Sequence, residues 1–421
     1  MNAPVANLLP AKIADFYPRG VKPERKLTTR EEFLQAARDL VPELRRNAFK
    51  TIEARQPACE NVAALVKAGL FGISRPKKYG GAGLELSDQF AVGAVLAEGD
   101  ANLAWDYIVW EVHSWLLGMV SEQTQDEVFG SSEVTICSGV FNPMRAKARP
   151  VEGGYMVSGG WHYGSGSTHS NWVCCAALVE GRMLPNGRPE NRVMILPRAD
   201  VDVLDTWRMR GLGGTGSHDI SIPDEVFVPE HRTILRMTLD TGLAPGADLH
   251  DADGTVAYRF PATPGAHLAA AATSIGVAKA AIGEFTEYMT NRVYLTGQKQ
   301  SDMAAPFIRI GEASIAVEAA ELLFQNVTRE IEAGLRAGIQ PTTLQRAKAR
   351  MVTAQVTRVA KQTVYSMIEG AGSTAMSESS LLSTYLGEVT MMGSHISTQY
   401  DLGPENYGRV LLGLEPCNPL I

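Results

Sequence analysis

The spacing of apolar residues predicts that the chain begins with a helical region. From Thr28 to about residue 128, apolar residues recur every three or four positions, the period of an amphipathic helix. Thr28 or Thr29 is a suitable N-cap for the first of these helices, with Glu31 or Glu32 in its first turn. The segment NLAWDYIVWEVHSWLLGMV is apolar on nearly every side, so we expect it to be a central helix.

The pattern changes near Glu133. Short runs such as VTICSGV, YMVSGGWHY and NWVCCAALVEG are rich in β-branched and aromatic residues and are separated by turn residues. They predict an antiparallel β domain over residues 133–237. Residues 238–262 are acidic, rich in glycine and proline, and without periodicity. A segment of this kind in a compact protein predicts a lid or a binding loop.

From residue 263 to 421 the helical period returns. It predicts four long, alanine-rich helices with short connections, which is typical of a four-helix bundle, over residues 267–296, 304–337, 342–370 and 379–397. On the second of these helices the predicted buried face is Ala316, Ala320, Leu323, Val327 and Ile331. The fold class is therefore α+β. An N-terminal arm and helical domain over residues 1–132 precede the β domain, and the bundle ends the chain.

Composition and charge exclude several functions. The 421 residues include 39 basic and 46 acidic side chains, a net charge of −7 with no basic run, which argues against nucleic-acid binding. No stretch resembles a membrane span or a secretory signal, so we expect a cytoplasmic protein without membrane contact. The five cysteines form no C-x-x-C pair, and no His, Asp or Glu grouping has metal-ligand spacing. We therefore predict neither a disulfide framework nor a metal site.

One glycine motif is misleading. Residues 211–216 fit the spacing G-x-G-x-x-G, which in nucleotide-binding folds follows a strand and opens a helix. Here the next segment, HDISIPDEVFVPE, alternates like a strand and contains two prolines. We therefore reject a Rossmann turn. These glycines make a tight turn or allow close approach to a flat, polar group.

The order of elements and three motifs resemble the acyl-CoA dehydrogenase family over about residues 28–415. The segment WRMRGLGGTGSHD with the following VFVP resembles one conserved block, and GYMVSGGWHYGSGSTHSNW resembles the flavin-facing strands. In NRVYLTGQKQSD, the arginine that binds the flavin phosphates in the family corresponds to Arg292. The resemblance implies these cofactor-binding residues: Ser138, Trp161, Ser165, Thr215, Ser217, Arg292, Gly370 and Gly372.

The catalytic glutamate of the dehydrogenases is not clearly present. The matching stretch after Gly372 offers only Ser377 or Glu378, and the start of the first bundle helix offers His267 but no glutamate. The chain instead resembles the flavin-dependent aromatic hydroxylases of the same fold. These are oxygenase components that receive reduced flavin from a separate NAD(P)H-flavin reductase.

That second resemblance implies a catalytic set of His113, Ser138, Ser165 and His395. Reduced FMN or FAD would react with molecular oxygen to give a C4a-hydroperoxide, for which His395 would manage the proton while Ser165 holds flavin N5. His113 would act as a base beside the substrate hydroxyl, with Ser138 as a second partner. Trp105 and Trp110 would form the substrate pocket together with His113.

The resemblance thus implies a two-component monooxygenase that hydroxylates an aromatic or other hydrophobic small molecule. It also implies a homotetramer whose flavin site is completed by a neighbouring subunit. Two alternatives stay open: an acyl-CoA dehydrogenase or related flavin oxidase, and an N- or S-oxygenase of the same fold. For His113 alone, a histidine on an apolar helix is more often a core residue with one hydrogen bond.

Overall fold

A computed structural model describes residues 10–132, 134–294, 296–418 and 421. The first nine residues of the predicted arm, and Glu133 at the predicted domain boundary, lie outside the described residues. The helices of the N-terminal part are α1 (Arg30–Ala54), α2 (Cys59–Lys67), α3 (Leu86–Ala97), α4 (Ala101–Leu117) and α5 (Glu122–Gly130).

Local sequence signals account for these helices. Thr29 caps α1, its side chain accepting from the Glu32 amide while the Glu32 carboxylate accepts from the Thr29 amide. The predicted central helix is α4, of which nearly every residue is buried. It packs against α3, α6 and the first strand of the sheet, so its polar side chains face other elements of the protein rather than solvent.

A twisted sheet follows the helices. Its strands are β1 (Cys137–Val140), β2 (Ala146–Val151), β3 (Gly154–Gly164), β4 (Trp172–Met183), β5 (Pro189–Pro197), β6 (Asp202–Leu204), β7 (His218–Pro229) and β8 (Thr233–Leu235). Seven of them lie in the order β6-β7-β3-β2-β4-β5-β8, and β1 pairs with β4. One face packs on the helices, and the other encloses a second apolar core.

The sheet is mixed rather than purely antiparallel, which corrects the prediction. Both β1 and β2 run parallel to β4. Because β3 reverses the direction of β2 and residues 165–171 reverse it again, β4 returns in the direction of β2 and pairs beside it. The strand β7 after the glycine motif is the strand that excluded a Rossmann turn.

Residues 238–262 are not irregular throughout. Short 3-10 turns cover Arg236–Asp240, Asp251–Asp253 and Ala257–Arg259. The Trp115 indole N–H donates to the Ala257 carbonyl at 2.7 Å, and Tyr258 is buried. The segment is therefore held against α4, and its end belongs to the helical core.

The bundle consists of α6 (Ala262–Asn291), α7 (Ala304–Arg336), α8 (Thr343–Ala371) and α9 (Leu381–Ser394). A further helix, α10 (Leu402–Leu411), was not predicted. On α7, Ala320, Val327 and Ile331 are buried as predicted, but Ala316 and Leu323 are exposed. The buried stripe instead passes through Ala313, Val317 and Phe324.

Helix α6 is long and apolar enough to cross a membrane by length and composition. The most apolar window has a mean hydropathy of 1.3, and 72% of it is buried inside the protein. This is the composition of a helix at the centre of a bundle, surrounded by α3, α4, α7, α8 and α9.

Candidate flavin and substrate site

Ser165 lies in a chain of buried hydroxyl groups. The Thr215 hydroxyl donates to the Leu212 carbonyl at 2.8 Å and lies 2.6 Å from the Ser217 hydroxyl, which lies 2.7 Å from that of Ser165. Because a carbonyl only accepts, the proton of Thr215 points to Leu212. Ser217 then donates to Thr215, and Ser165 donates to Ser217. Ser165 also accepts from the Trp105 indole N–H at 3.3 Å, which leaves its oxygen one free lone pair.

Gly166 lets the turn that carries Ser165 approach helix α4. It has φ +69°, and a Cβ atom at this position would lie 2.2 Å from Nε1 of Trp110. The Trp110 N–H donates to the Gly166 carbonyl at 3.1 Å, and its ring is fully buried beside Phe71 and His169. Trp110 thus fastens the β domain to α4 in the core. The structure does not place it in the predicted substrate pocket.

Replacing Gly166 with alanine is expected to lower the free energy of unfolding by about 2–4 kcal/mol. The added methyl group would meet the Trp110 ring and force a left-handed backbone on a residue with a Cβ atom. Urea unfolding measures the loss. Gly181→Ala is the matched control, because Gly181 has φ +70° with nothing within 4 Å of the added Cβ. Equal losses in the two variants would contradict the steric argument.

His113 presents an unpaired nitrogen to the space between α4 and β1. Its Nδ1 lies 2.7 Å from the Val109 carbonyl, so in the neutral ring this nitrogen carries the hydrogen. Its Nε2 is buried and has no hydrogen-bond partner among the residues that the structure describes. Burial lowers the pKa of His113 to about 4, so the ring is neutral at pH 7 and Nε2 is an acceptor. The Phe141 ring lies 5.2 Å away.

The structure does not bring Ser138 to His113. A Cβ atom on Gly139 would lie 2.5 Å from Nε2 of His113, so this residue of β1 faces the histidine. Successive residues of a strand face opposite sides, so Ser138 faces away. Its hydroxyl donates instead to the Ser170 hydroxyl at 3.3 Å. The role of second substrate partner that the sequence implied for Ser138 is therefore not supported by this geometry.

His395 lies at the C-terminal end of α9, beside Trp105, with the two ring centroids 5.2 Å apart in an edge-to-face arrangement. The Ser397 amide donates to Nδ1 of His395 at 3.2 Å, so the neutral ring carries its hydrogen on Nε2. Burial, and then the charge of Arg350, lowers the pKa of His395 to about 4. Near neutral pH, His395 is therefore a hydrogen-bond donor through Nε2, not a charged acid.

Arg350, on α8, holds the backbone that carries His395. Its guanidinium donates to the carbonyls of Ser397 at 2.7 Å, Ile396 at 2.7 Å and Gln399 at 3.2 Å. The side chain is 1% exposed. These carbonyls follow the end of α9, where backbone oxygens lack partners within the helix. Sequence reasoning missed this residue, because Arg350 is one of three arginines on α8, beside two lysines, and spacing alone does not distinguish it.

Sequence reasoning also missed Asn102 and Glu388, which hydrogen-bond the backbone of the glycine motif. The Asn102 side chain accepts from the Gly214 amide at 2.9 Å and donates to Glu388 at 3.0 Å. Glu388 in turn accepts from the Leu212 amide, and burial raises its pKa to about 8. The turn that carries Thr215 is therefore attached to both α4 and α9, which sets the position of the hydroxyl chain.

Trp161 lies in the second core of the sheet, 2% exposed, with its indole N–H on the Ala176 carbonyl at 2.6 Å. It shares a face of β3 with Tyr155 and Val157, which are also buried there. The prediction that its side chain binds the cofactor is corrected, because that face of the strand points into the β domain.

Arg292, Gly370 and Gly372 do meet, at the other end of the bundle. The Arg292 guanidinium donates to the Ala371 carbonyl, and a Cβ atom on Gly372 would lie 2.9 Å from it. His267 and Arg292 lie near opposite ends of α6, about 37 Å apart along the axis. His395, whose ring lies beside Trp105, is close enough to His267 to lower its pKa, and Trp105 bonds Ser165. The hydroxyl chain therefore lies toward the His267 end of α6, far from the Arg292 cluster of the same chain.

The residues around Ser165 fit a reduced flavin. The reduced ring carries a hydrogen on N5, and the Ser165 oxygen has a lone pair free to accept it. His395 supplies a donor from Nε2, and Trp105 joins the two residues. The fold and this hydroxyl chain define a flavoprotein of the acyl-CoA dehydrogenase fold.

Comparison with known proteins agrees with this class. Residues 28–128 match the acyl-CoA dehydrogenase N-terminal domain, and residues 268–400 match the C-terminal domain. A pigment production hydroxylase from Rhodococcus sp. is 30% identical over 93% of this chain and 99% of its own length. The oxygenase component of an FADH2-dependent resorcinol hydroxylase from Rhizobium sp. is 28% identical, covering 88% and 92%. The 3-HSA hydroxylase structure from Rhodococcus sp. RHA1 gives a TM-score of 0.85 at 26% identity, covering 93% and 99%.

The chain belongs to the flavin-dependent monooxygenases of the acyl-CoA dehydrogenase fold, as an oxygenase component of the two-component kind. This confirms the fold class, the enzyme class and the reduced-flavin cofactor predicted from the sequence. The assignment of individual site residues rests on the geometry described above.

Proposed function

We propose that this protein takes reduced FMN or FAD from a separate NAD(P)H-flavin reductase and hydroxylates a phenolic ring. When bound, the reduced flavin supplies the two electrons that activate O2. One oxygen atom enters the ring, the other leaves as water, and oxidised flavin is released. The observation that carries the proposal is the buried, unpaired Nε2 of His113, held as an acceptor by the bond from Nδ1 to Val109.

His113 would accept the hydrogen bond of the phenol. A phenol whose proton is shared with a base has more electron density on its ring carbons and reacts faster with an electrophilic oxygen. Phe141 beside His113, together with Trp105, provides apolar contacts that keep water from the ring. An acidic O–H is the group that Nε2 suits best, so carbon hydroxylation of a phenol is favoured over N- or S-oxygenation.

Ser165 would orient the reduced flavin by accepting from N5. The hydroxyl chain that ends at Leu212 fixes the direction of the Ser165 proton, so the lone pair is preorganised. His395 would present its Nε2 hydrogen at the same ring. Neither residue needs to change its charge near neutral pH to do this.

The dehydrogenase alternative is poorly supported at the position that matches its catalytic glutamate. Ser377 and Glu378, the residues that match the position of the dehydrogenase glutamate, are both exposed. Nothing in their surroundings prepares a carboxylate to remove a proton from a substrate carbon. The alternative remains testable, because such an enzyme binds oxidised flavin tightly and is reduced by an acyl-CoA.

The proposal includes a homotetramer in the cytoplasm. The Ser165 hydroxyl chain lies toward the His267 end of α6 through Trp105 and His395, and Arg292 is at the opposite end, so a flavin ring at Ser165 would leave its phosphates far from Arg292 of the same chain. A second copy that contributes Arg292, Gly370 and Gly372 would complete the site. The supply of reduced flavin by an NAD(P)H-dependent reductase supports a cytoplasmic location.

Co-expression of two inactive variants tests the shared site. His395→Ala removes a side chain that would contact the flavin ring, and Arg292→Leu removes the side chain that would bind the flavin phosphates. If each site combines two copies, random mixing restores about a quarter of wild-type activity. One site in four then takes its intact His395 from one variant and its intact Arg292 from the other. Each variant expressed alone is the control. Activity no higher than that of the single variants would contradict a shared site.

The overall function is tested with the protein, a generic flavin reductase, NADH, FMN or FAD, and resorcinol or p-hydroxyphenylacetate. We expect a ring-hydroxylated product, with O2 uptake matched by product rather than by hydrogen peroxide. A protein that binds oxidised flavin tightly, is reduced by an acyl-CoA and forms no hydroxylated product would overturn the proposal.

A further inference from the structure

His267 faces Arg350 at one end of the bundle. Helices α6 and α8 are alternate members of an up-down bundle, so they run parallel. The hydroxyls of Ser274 and Thr357 lie 3.3 Å apart where these helices touch. Seven residues earlier, two turns back on each helix, are His267 and Arg350. Residues two turns apart lie on the same helix face, so the two side chains point toward one another.

His395 joins the same cluster. The Ser274 hydroxyl donates to the sulfur of Met392 on α9 at 3.5 Å, and His395 follows one turn later. Helix α9 runs opposite to α6, so this turn leads toward His267. In accord with this arrangement, burial and then the charges of Arg350 and His395 lower the pKa of His267.

Two polar atoms in this cluster have no hydrogen-bond partner in the described part of the chain. One is Nδ1 of His267, which is buried, and the whole residue is only 5% exposed. Nε of Arg350 is likewise unpaired, while its terminal nitrogens bond backbone carbonyls and the hydroxyl of Thr353. The hydrogen-bond partners described for Arg350 thus include no carboxylate. Unpaired polar atoms beside an uncompensated positive charge are costly to bury unless a ligand completes them.

We propose that His267 and the Nε–H of Arg350 form a subsite that binds a carboxylate on the phenolic substrate. The proposal rests on the proposed function, and it makes the substrate a hydroxyaryl carboxylic acid. With its hydrogen on Nδ1, His267 would donate to an anionic oxygen that also accepts from the Nε–H of Arg350 and balances the guanidinium charge.

The dimensions suit such a substrate. Trp105, which touches His395, and His113 are both on α4, about 12 Å apart along its axis. The side of the cluster at His395 is thus separated from His113 by about the length of one aromatic ring that carries a hydroxyl group and a short acidic side chain.

The experiment compares p-hydroxyphenylacetate with its neutral amide, p-hydroxyphenylacetamide, as probes at saturating reduced flavin. We measure kcat/KM for both in wild-type protein, His267→Leu and His267→Gln. The control variant is His231→Gln, whose histidine pairs with Glu127 at the surface. Wild type and the control should favour the acid by about tenfold or more, as for a charge-assisted hydrogen bond. In His267→Leu the preference should fall below about threefold, with the amide unchanged, and His267→Gln should restore part of it.

Three outcomes would overturn the subsite. These are equal use of acid and amide by wild type, an unchanged preference in His267→Leu, or weaker reduced-flavin binding in that variant at constant acid preference, which would assign His267 to the flavin. Turnover of resorcinol with neither probe accepted would also refute the substrate class. In that last case the proposed hydroxylase function would stand, so the two failures are distinguishable.

Discussion

Replacing His113 with leucine is expected to lower the yield of hydroxylated product on the order of 10²-fold while reduced flavin and O2 are still consumed. Leucine fills the space of the ring but cannot accept the phenol proton, so the electrons would appear as hydrogen peroxide. Chromatography measures the hydroxylated product and a peroxidase assay measures the hydrogen peroxide. Together they show how the consumed O2 is divided between the two.

The pH dependence of this reaction separates a base from a packing residue. Burial lowers the pKa of His113 to about 4, and its neutral form is the one that accepts a hydrogen bond. Product yield per O2 should therefore be constant from pH 8 down to about 5 and fall as the pH approaches 4. The leucine variant should lack this acid limb. Full coupling in the leucine variant would refute the assignment of His113.

His395→Ala is expected to slow O2 uptake itself rather than to change the ratio of hydroxylated product to hydrogen peroxide. The substitution removes the Nε2 hydrogen that the Ser397 amide and Arg350 hold in place. We expect uptake with excess reduced flavin, corrected for the free flavin reaction, to fall on the order of 10²-fold, the usual range for a positioned proton donor. An oxygen electrode measures it.

His395→Gln is the companion variant, because its amide N–H can donate from a similar position and should restore part of the rate. Both variants should keep the wild-type unfolding midpoint, since His395 is partly exposed and Arg350 still bonds the backbone carbonyls after α9. Normal O2 uptake in His395→Ala would remove this residue from the chemistry.

Three of the predicted site residues that the structure places near α4 have a feature that can be read locally. Ser165 and Thr215 lie in glycine-rich turns, and His113 interrupts an apolar helix. Trp161 and Ser138 failed for one shared reason. Residue type suggested a cofactor contact, but the alternation of side chains along a strand decides which face each one occupies.

The residues that were missed act across the fold. His267 and Arg350 are the titratable residues among the buried positions of α6 and α8. Arg350 is important because it bonds backbone carbonyls in the loop after α9, and His267 because it lies close to Arg350. Asn102 and Glu388 meet across the chain, and only together do they hold the glycine motif. No spacing in the sequence relates such pairs.

The sequence by itself determined the elements and their class. Helix period, the capping pair at Thr29 and Glu32, and the β-rich middle are local properties, because hydrogen bonding and burial within an element depend on near neighbours. Tertiary structure decided the mixed pairing of the sheet, the faces of β1 and β3, and the protonation of the two site histidines. Those depend on which distant carbonyl, amide or charge lies within a few ångströms, and chain folding alone brings these groups together.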